Sequence, residues 1–155
     1  MKKYLSILLC LCLPCLLAAG CAQKGGDPAT QEPARAAVPD FVDLTVLNST
    51  MFYAEVSNIM EHLSDYEGKT IKVGGFYRAT YFEPTRQHYH IIYAMDATAC
   101  CPQDIMEFVW TGKHAYPDDY PQEGTPIELT GVFESYEELG ETYYHLIVDD
   151  IIVSG

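Results

Sequence analysis

The sequence predicts a small, mainly β domain with one N-terminal helix, its five strands closed into a barrel. Three observations carry that expectation. A helical apolar repeat ahead of Gly68 gives way to a repeat of two after it, β-branched and aromatic residues concentrate in five later runs, and glycines fall inside those runs where a strand must bend.

Residues 1–20 read as a secretory signal peptide. Lys2 and Lys3 precede the apolar run "YLSILLCLCLPCLL", and small residues lead into Cys21. That run is shorter than the ~20 apolar residues a spanning helix needs, and Pro14 interrupts it. Residues 21–47 are assigned to a flexible tether, whose part from Ala22 to Pro39 is rich in Gly, Pro, Ala and Gln. As a coil it would reach on the order of 25 Å.

Residues 48–155 are assigned to one domain, which is an ordinary size for a single core. Phe52, Val56, Ile59, Met60 and Leu63 follow helical spacing, Asn48 to Thr50 supply capping oxygens, and Gly68 is placed to end the segment. One amphipathic helix of about fifteen residues is therefore expected.

Five strands follow, over 70–82, 88–96, 105–112, 126–138 and 142–154. Gly74, Gly75 and Gly131 lie inside them, and "EELGET" reads as a tight hairpin turn. The stretches "GKTIKVGGF" and "GTPIELTGVF" resemble each other weakly. Together these features favour a five-stranded barrel of OB-like type over a helix-capped antiparallel sheet.

Charge excludes one class of partner. The whole chain carries a formal charge of −13, and losing Lys2 and Lys3 with the signal would make it two units more negative. Such a surface repels phosphate backbones, so no nucleic-acid partner is expected. The aromatics Phe76, Tyr77, Tyr81, Phe82, Tyr89 and Tyr93 are accordingly read mainly as β-formers and core, with any exposed rings free to line a ligand groove.

"LAAGC" resembles the bacterial lipobox, which implies acylation of Cys21 and a protein tethered to a membrane of the bacterial envelope, outside the cytoplasm. Of six cysteines, Cys10, Cys12 and Cys15 belong to the signal, so Cys100 and Cys101 are the only thiols left to the domain. A second resemblance rests on "YEGKTIKVGGF" (66–76) and "DATACCPQDIMEFVW" (96–110). They are similar to the exported, vicinal-cysteine domain of a subunit of a bacterial two-component putative permease family. That resemblance implies an OB-like envelope domain near a metal or small-solute transport system, with a permease as partner.

Three readings of the cysteine pair stand side by side. Thiolates suit zinc or copper(I), and His88, His90, His114 and His145 could complete a shell, with Asp96 and Glu107 beside it. His88 and His90, two apart on one strand, share a face. In the second reading, the pair forms a strained vicinal disulfide with redox activity, because neighbouring α-carbons lie closer than an ordinary disulfide prefers. In the third, one cysteine packs in the core and the domain serves structural interactions.

Other groups carry less. Asp118, Asp119 and Glu123 could attract calcium, yet no Asp-x-Asp-x-Asp-Gly loop is present, and a solvated proline-rich loop explains them. Glu107 reads first as a strand-end surface acid. No Gly-x-Ser-x-Gly, phosphate-cradling glycine loop or His-Glu-x-x-His occurs, so a binding or accessory role is expected before catalysis.

Overall fold

The computed structural model of the protein describes residues 37–95 and 101–154. Cys21 and the signal peptide, along with Asp96 and Cys100, lie outside the described residues. In chain order the elements are β1 (Phe41–Asp43), α1 (Ser49–Glu61), α2 (Leu63–Tyr66), β2 (Thr70–Phe82), β3 (Gln87–Met95), β4 (Pro102–Trp110), β5 (Pro126–Glu138) and β6 (Glu141–Val153).

The expected helix is present but shorter than its periodicity suggests. Asn48 caps it, its Oδ1 accepting the Met51 N–H at 3.1 Å, and α1 stops after 13 residues at His62 before the single turn of α2. Val56 and Ile59 are buried while Met60 is exposed, so the apolar stripe is narrower than the sequence implies. Full burial of Ile59 contributes about 2 kcal/mol of hydrophobic stabilisation. Tyr66 closes the segment, 1% exposed, its hydroxyl donating to Glu55 Oε1 at 2.6 Å.

The five long strands stand where the sequence places them, to within a few residues. A sixth was not expected. Residues 41–47, assigned above to the tether, are folded: β1 runs parallel to β2, and Leu44 is 1% exposed with its N–H on Lys72 O at 2.9 Å. The alternation of buried Val42 and Leu44 spans too few residues to register as a strand pattern.

All six strands form one mixed sheet in the order β1-β2-β3-β4-β6-β5, and β2 also pairs with β5, closing the long strands into a ring. The sheet is therefore not the purely antiparallel one considered as the alternative, since β1–β2 and β4–β6 are parallel. Two strands make the closure by dividing themselves between partners. β2 pairs with β5 over Thr70–Phe76 and with β3 over Phe76–Phe82. β4 pairs with β3 as far as Phe108 and with β6 from Glu107 onward.

Glycine permits these bends by allowing backbone to approach backbone. A Cβ on Gly75, where β2 changes partner, would lie 2.5 Å from Tyr93 O; one on Gly131 would lie 2.4 Å from Ile147 O. Both sites adjoin a register shift, between Ile92 and Tyr93 in β3 and between Leu129 and Gly131 in β5. Inside the ring, Ile71, Val73, Tyr77, Ile92, Phe108, Leu129, Phe133, Leu146 and Val148 form one core with every side chain almost wholly removed from water.

Candidate functional site

The strand register separates the residues that the sequence grouped. Cys101 is exposed immediately before β4, at the end of the β3–β4 hairpin where Met95 faces Pro102. His90 faces Phe108, five residues further along β3, which is roughly 17 Å away at strand rise. Cys101 is thus not brought together with His88, His90 or Glu107. Among the described residues, no three His, Cys, Asp or Glu side chains are arranged to hold a metal ion. His114, another proposed ligand, instead stacks face to face on Trp110 with centroids 3.5 Å apart.

His88, His90, Glu107 and His145 do share a site. Because β4 leaves β3 after Phe108, the edge of β3 at Gln87–Tyr89 has no strand partner on that side among the described residues, and a cleft of about 330 Å³ opens there. It is lined by those four residues with Tyr89, Phe108, Tyr120, Tyr136 and Glu138 among others. Two other cavities, of about 500 and 320 Å³, are bounded mainly by apolar side chains such as Leu44, Phe52 and Phe76 in one and Met60, Leu63 and Ile105 in the other. The cleft is where the titratable groups converge.

One wall is a stack of rings. Tyr120 lies over His90 at 3.9 Å between centroids and 13° between planes, and Tyr116 approaches His88 at 4.4 Å. Both tyrosines come from the loop between β4 and β5, whose shape is held by the Asp119 carboxylate accepting the Ala115 N–H at 2.7 Å. The acids of that loop and Pro117 are exposed as the sequence suggests, while Pro121 is half-buried and Tyr120 is packed against the core. The contact of both His88 and His90 with Tyr116 shows that the two imidazoles share a face.

His90 Nδ1 and the buried Tyr77 hydroxyl share a hydrogen bond of 2.8 Å. Burial, reinforced by the neighbouring His88, pushes His90 down to about 4, so it is uncharged at neutral pH. Burial also raises Tyr77 and Tyr120 above the ordinary phenol range.

The other wall carries the acids. Tyr136 donates to Glu107 Oε2 at 2.8 Å, and Tyr89 donates to Glu138 Oε1 at 2.5 Å, joining β3 to the far end of β5. Tyr136 stacks on His145 at 4.5 Å, and His145 Nδ1 stands 3.8 Å from Glu107 Oε1. Among the described residues that buried nitrogen has no hydrogen-bond partner. Burial first, and then the adjacent carboxylates, raise both Tyr136 and Tyr89, which stay protonated as donors.

Glu107 is therefore not a simple surface acid: its side chain is 21% exposed and hydrogen-bonded inside the cleft. Tyr136, Tyr120 and Glu138 were not anticipated from sequence. The alternation of Glu134, Tyr136 and Glu138 along β5 could have suggested one ligand-bearing face, but it reads equally as a charged hairpin. Compared with models of protein families and with curated proteins, the chain matches none.

Proposed function

We propose that the protein is a lipid-anchored binding or accessory module of the bacterial envelope, an OB-like barrel that holds a small ligand in the cleft beside β3. The observation that carries this reading is the parting of β3 from β4, which opens a concave site lined by three histidines, two carboxylates and several tyrosines. Pockets with a few convergent polar groups among aromatic walls are the usual form of small-molecule sites.

Strand order supports the OB-like assignment. A five-stranded ring with its third and fifth members parallel accords with the closed Greek-key plan of that fold, whose ligands bind on the face of the second and third strands between the first and fourth connections. Here those strands are β3 and β4, and the connections are residues 83–86 and 139–140. The anchor is supported by "LAAGC" at Cys21, and a permease partner by the resemblance of residues 66–76 and 96–110. No helix among the described residues is long and apolar enough to cross a membrane.

Thermal-shift screening of small polar compounds against the wild type and a Tyr136→Ala variant tests the binding reading. Ligands that raise the wild-type melting temperature by mass action and leave the variant unmoved support it. Equal shifts in both proteins would place binding elsewhere.

A second reading rests on Cys101, exposed at the start of β4 and preceded in sequence by Cys100. Thiol redox activity of that pair predicts an intact-mass gain of two alkyl groups only after reduction. Full alkylation without reductant, in protein prepared anaerobically, would remove it.

A further inference from the structure

Resting on the cleft as a binding site, we propose that its ligand is a small organic cation, an alkyl- or arylammonium seated between the carboxylates of Glu107 and Glu138 and the surrounding rings.

The argument begins with charge. Two carboxylates enter the cleft, and neither has a lysine or arginine partner among the described residues; no basic side chain other than histidine lines the walls. Each accepts instead from a neutral phenol, Tyr136 for Glu107 and Tyr89 for Glu138. A phenolic hydrogen bond satisfies one lone pair and cancels no charge. Partly buried anions left without a counter-charge are unfavourable, and a cation entering the cleft removes that cost.

The protein's own candidates do not fill the role. His90 is held neutral by burial, and His145 Nδ1, 3.8 Å from Glu107 Oε1, is within ion-pair reach but makes no hydrogen bond among the described residues and offers a counter-charge only when protonated. The lone Arg78 on β2 is engaged with Asp104 nearer the other end of the β3–β4 hairpin.

Walls decide between kinds of cation. A hard divalent ion wants several oxygen ligands converging, and no three ligating side chains converge among the described residues. Tyr89, Tyr120, Tyr136, His88 and His90 instead present aromatic surface, which attracts ammonium groups and accommodates their organic substituents. A volume of about 330 Å³ sits at the small end of ligand pockets, which suits a single ring or short alkyl chain. The strongly acidic surface draws the same charge class toward the site.

The test uses the purified protein with three probes, phenethylammonium, its neutral counterpart 2-phenylethanol and glucose as an uncharged polar control, followed by calorimetry and by amide chemical shifts. The ammonium is expected to bind about tenfold more tightly, the difference a desolvated cation–π and carboxylate contact supplies. Glu107→Gln, which keeps the shape and a hydrogen-bonding oxygen, is expected to erase that preference while 2-phenylethanol binding persists. Glu137→Gln, exposed and outside the cleft, is expected to leave it intact. Amide dispersion like the wild type's confirms that each variant is folded.

If 2-phenylethanol or glucose binds in the cleft as tightly as the ammonium, the cation assignment falls and the binding site stands. If Glu107→Gln retains the full preference, the assignment also falls. If none of the three probes shifts the amides of residues 87–90, 107 or 136, both the cation and the cleft are overturned.

Discussion

Tyr136 on β5 donates its hydroxyl hydrogen to Glu107 on β4 across 2.8 Å, although the register sets Glu107 opposite His145 and His145 opposite Glu134. The ring thus reaches past its direct partner, bringing the β5–β6 hairpin over the place where β4 changes neighbours. Removing that hydroxyl leaves a partly buried carboxylate with one acceptor unsatisfied. Tyr136→Phe is expected to lower unfolding free energy by about 2 kcal/mol in urea denaturation. A loss below about 0.5 kcal/mol would show that the carboxylate is fully solvated.

Gly131→Ala and Gly75→Ala test the closure of the ring. Each added methyl would meet a neighbouring carbonyl oxygen, at 2.4 and 2.5 Å, and backbone on both sides leaves little room to yield. Each should cost about 3 kcal/mol, visible as a lower urea midpoint. Gly74→Ala is the control, since its nearest contact would be a side-chain methyl at 3.7 Å. Equal effects at Gly74 and Gly75 would contradict the bend.

The β5–β6 turn offers a gain. Leu139 and Gly140 both hold positive φ, 52° and 86°, in a two-residue connection between paired Glu138 and Glu141. Asparagine adopts that conformation at less cost than leucine. At 66% exposed, Leu139 gives up little burial, and Leu139→Asn should raise stability by up to about 1 kcal/mol, read as a higher melting temperature.

His90 sets a pH response. Its imidazole titrates near 4 in the folded chain and near 6.5 when unfolded, so between these values the unfolded chain binds a proton that the folded one does not. Stability is complete above 6.5 and declines as pH falls toward 4. The groups around His90 are Tyr77, Tyr116, Tyr120, His88 and Glu107, of which Tyr77 and Tyr120 stay neutral throughout. Asp40 and Asp43, lowered by hydrogen bonds from Lys69 and Thr45, titrate below this window. Melting temperatures from pH 7 to 4.5 should fall in the wild type and flatten in His90→Gln; parallel curves would contradict the assignment.

Anchoring has its own measurement. Cys21→Ser should move the protein from the membrane pellet to the soluble fraction and abolish incorporation of labelled palmitate. Continued labelling of the variant would refute acylation at Cys21.

The strands were legible because each of the five long runs is rich in β-branched and aromatic residues, and because Gly75 and Gly131 mark bends that only a close backbone approach explains. β1 escaped because three residues show no period, and its stability comes from parallel pairing with β2. The site was half legible. His88, His90, His145 and Glu107 were named, but they were tied to Cys100 and Cys101, since sequence separation gives no hint of which end of a hairpin each residue occupies. Register alone resolves that: Met95 opposite Pro102 sends the cysteine one way, and His90 opposite Phe108 sends the imidazoles the other. Tyr120 and Tyr136 could not be read because β-propensity explains a strand tyrosine as well as a binding site does.

Amide chemical-shift mapping of the wild-type protein against a small-fragment library tests the central claim most directly. Perturbations should gather at residues 87–90, 107–109, 136–138 and 145, on both sides of the parted strands. Shifts gathered instead at Met95 and Cys101, or along Leu44, Phe52 and Phe76, would show that the protein binds through another surface.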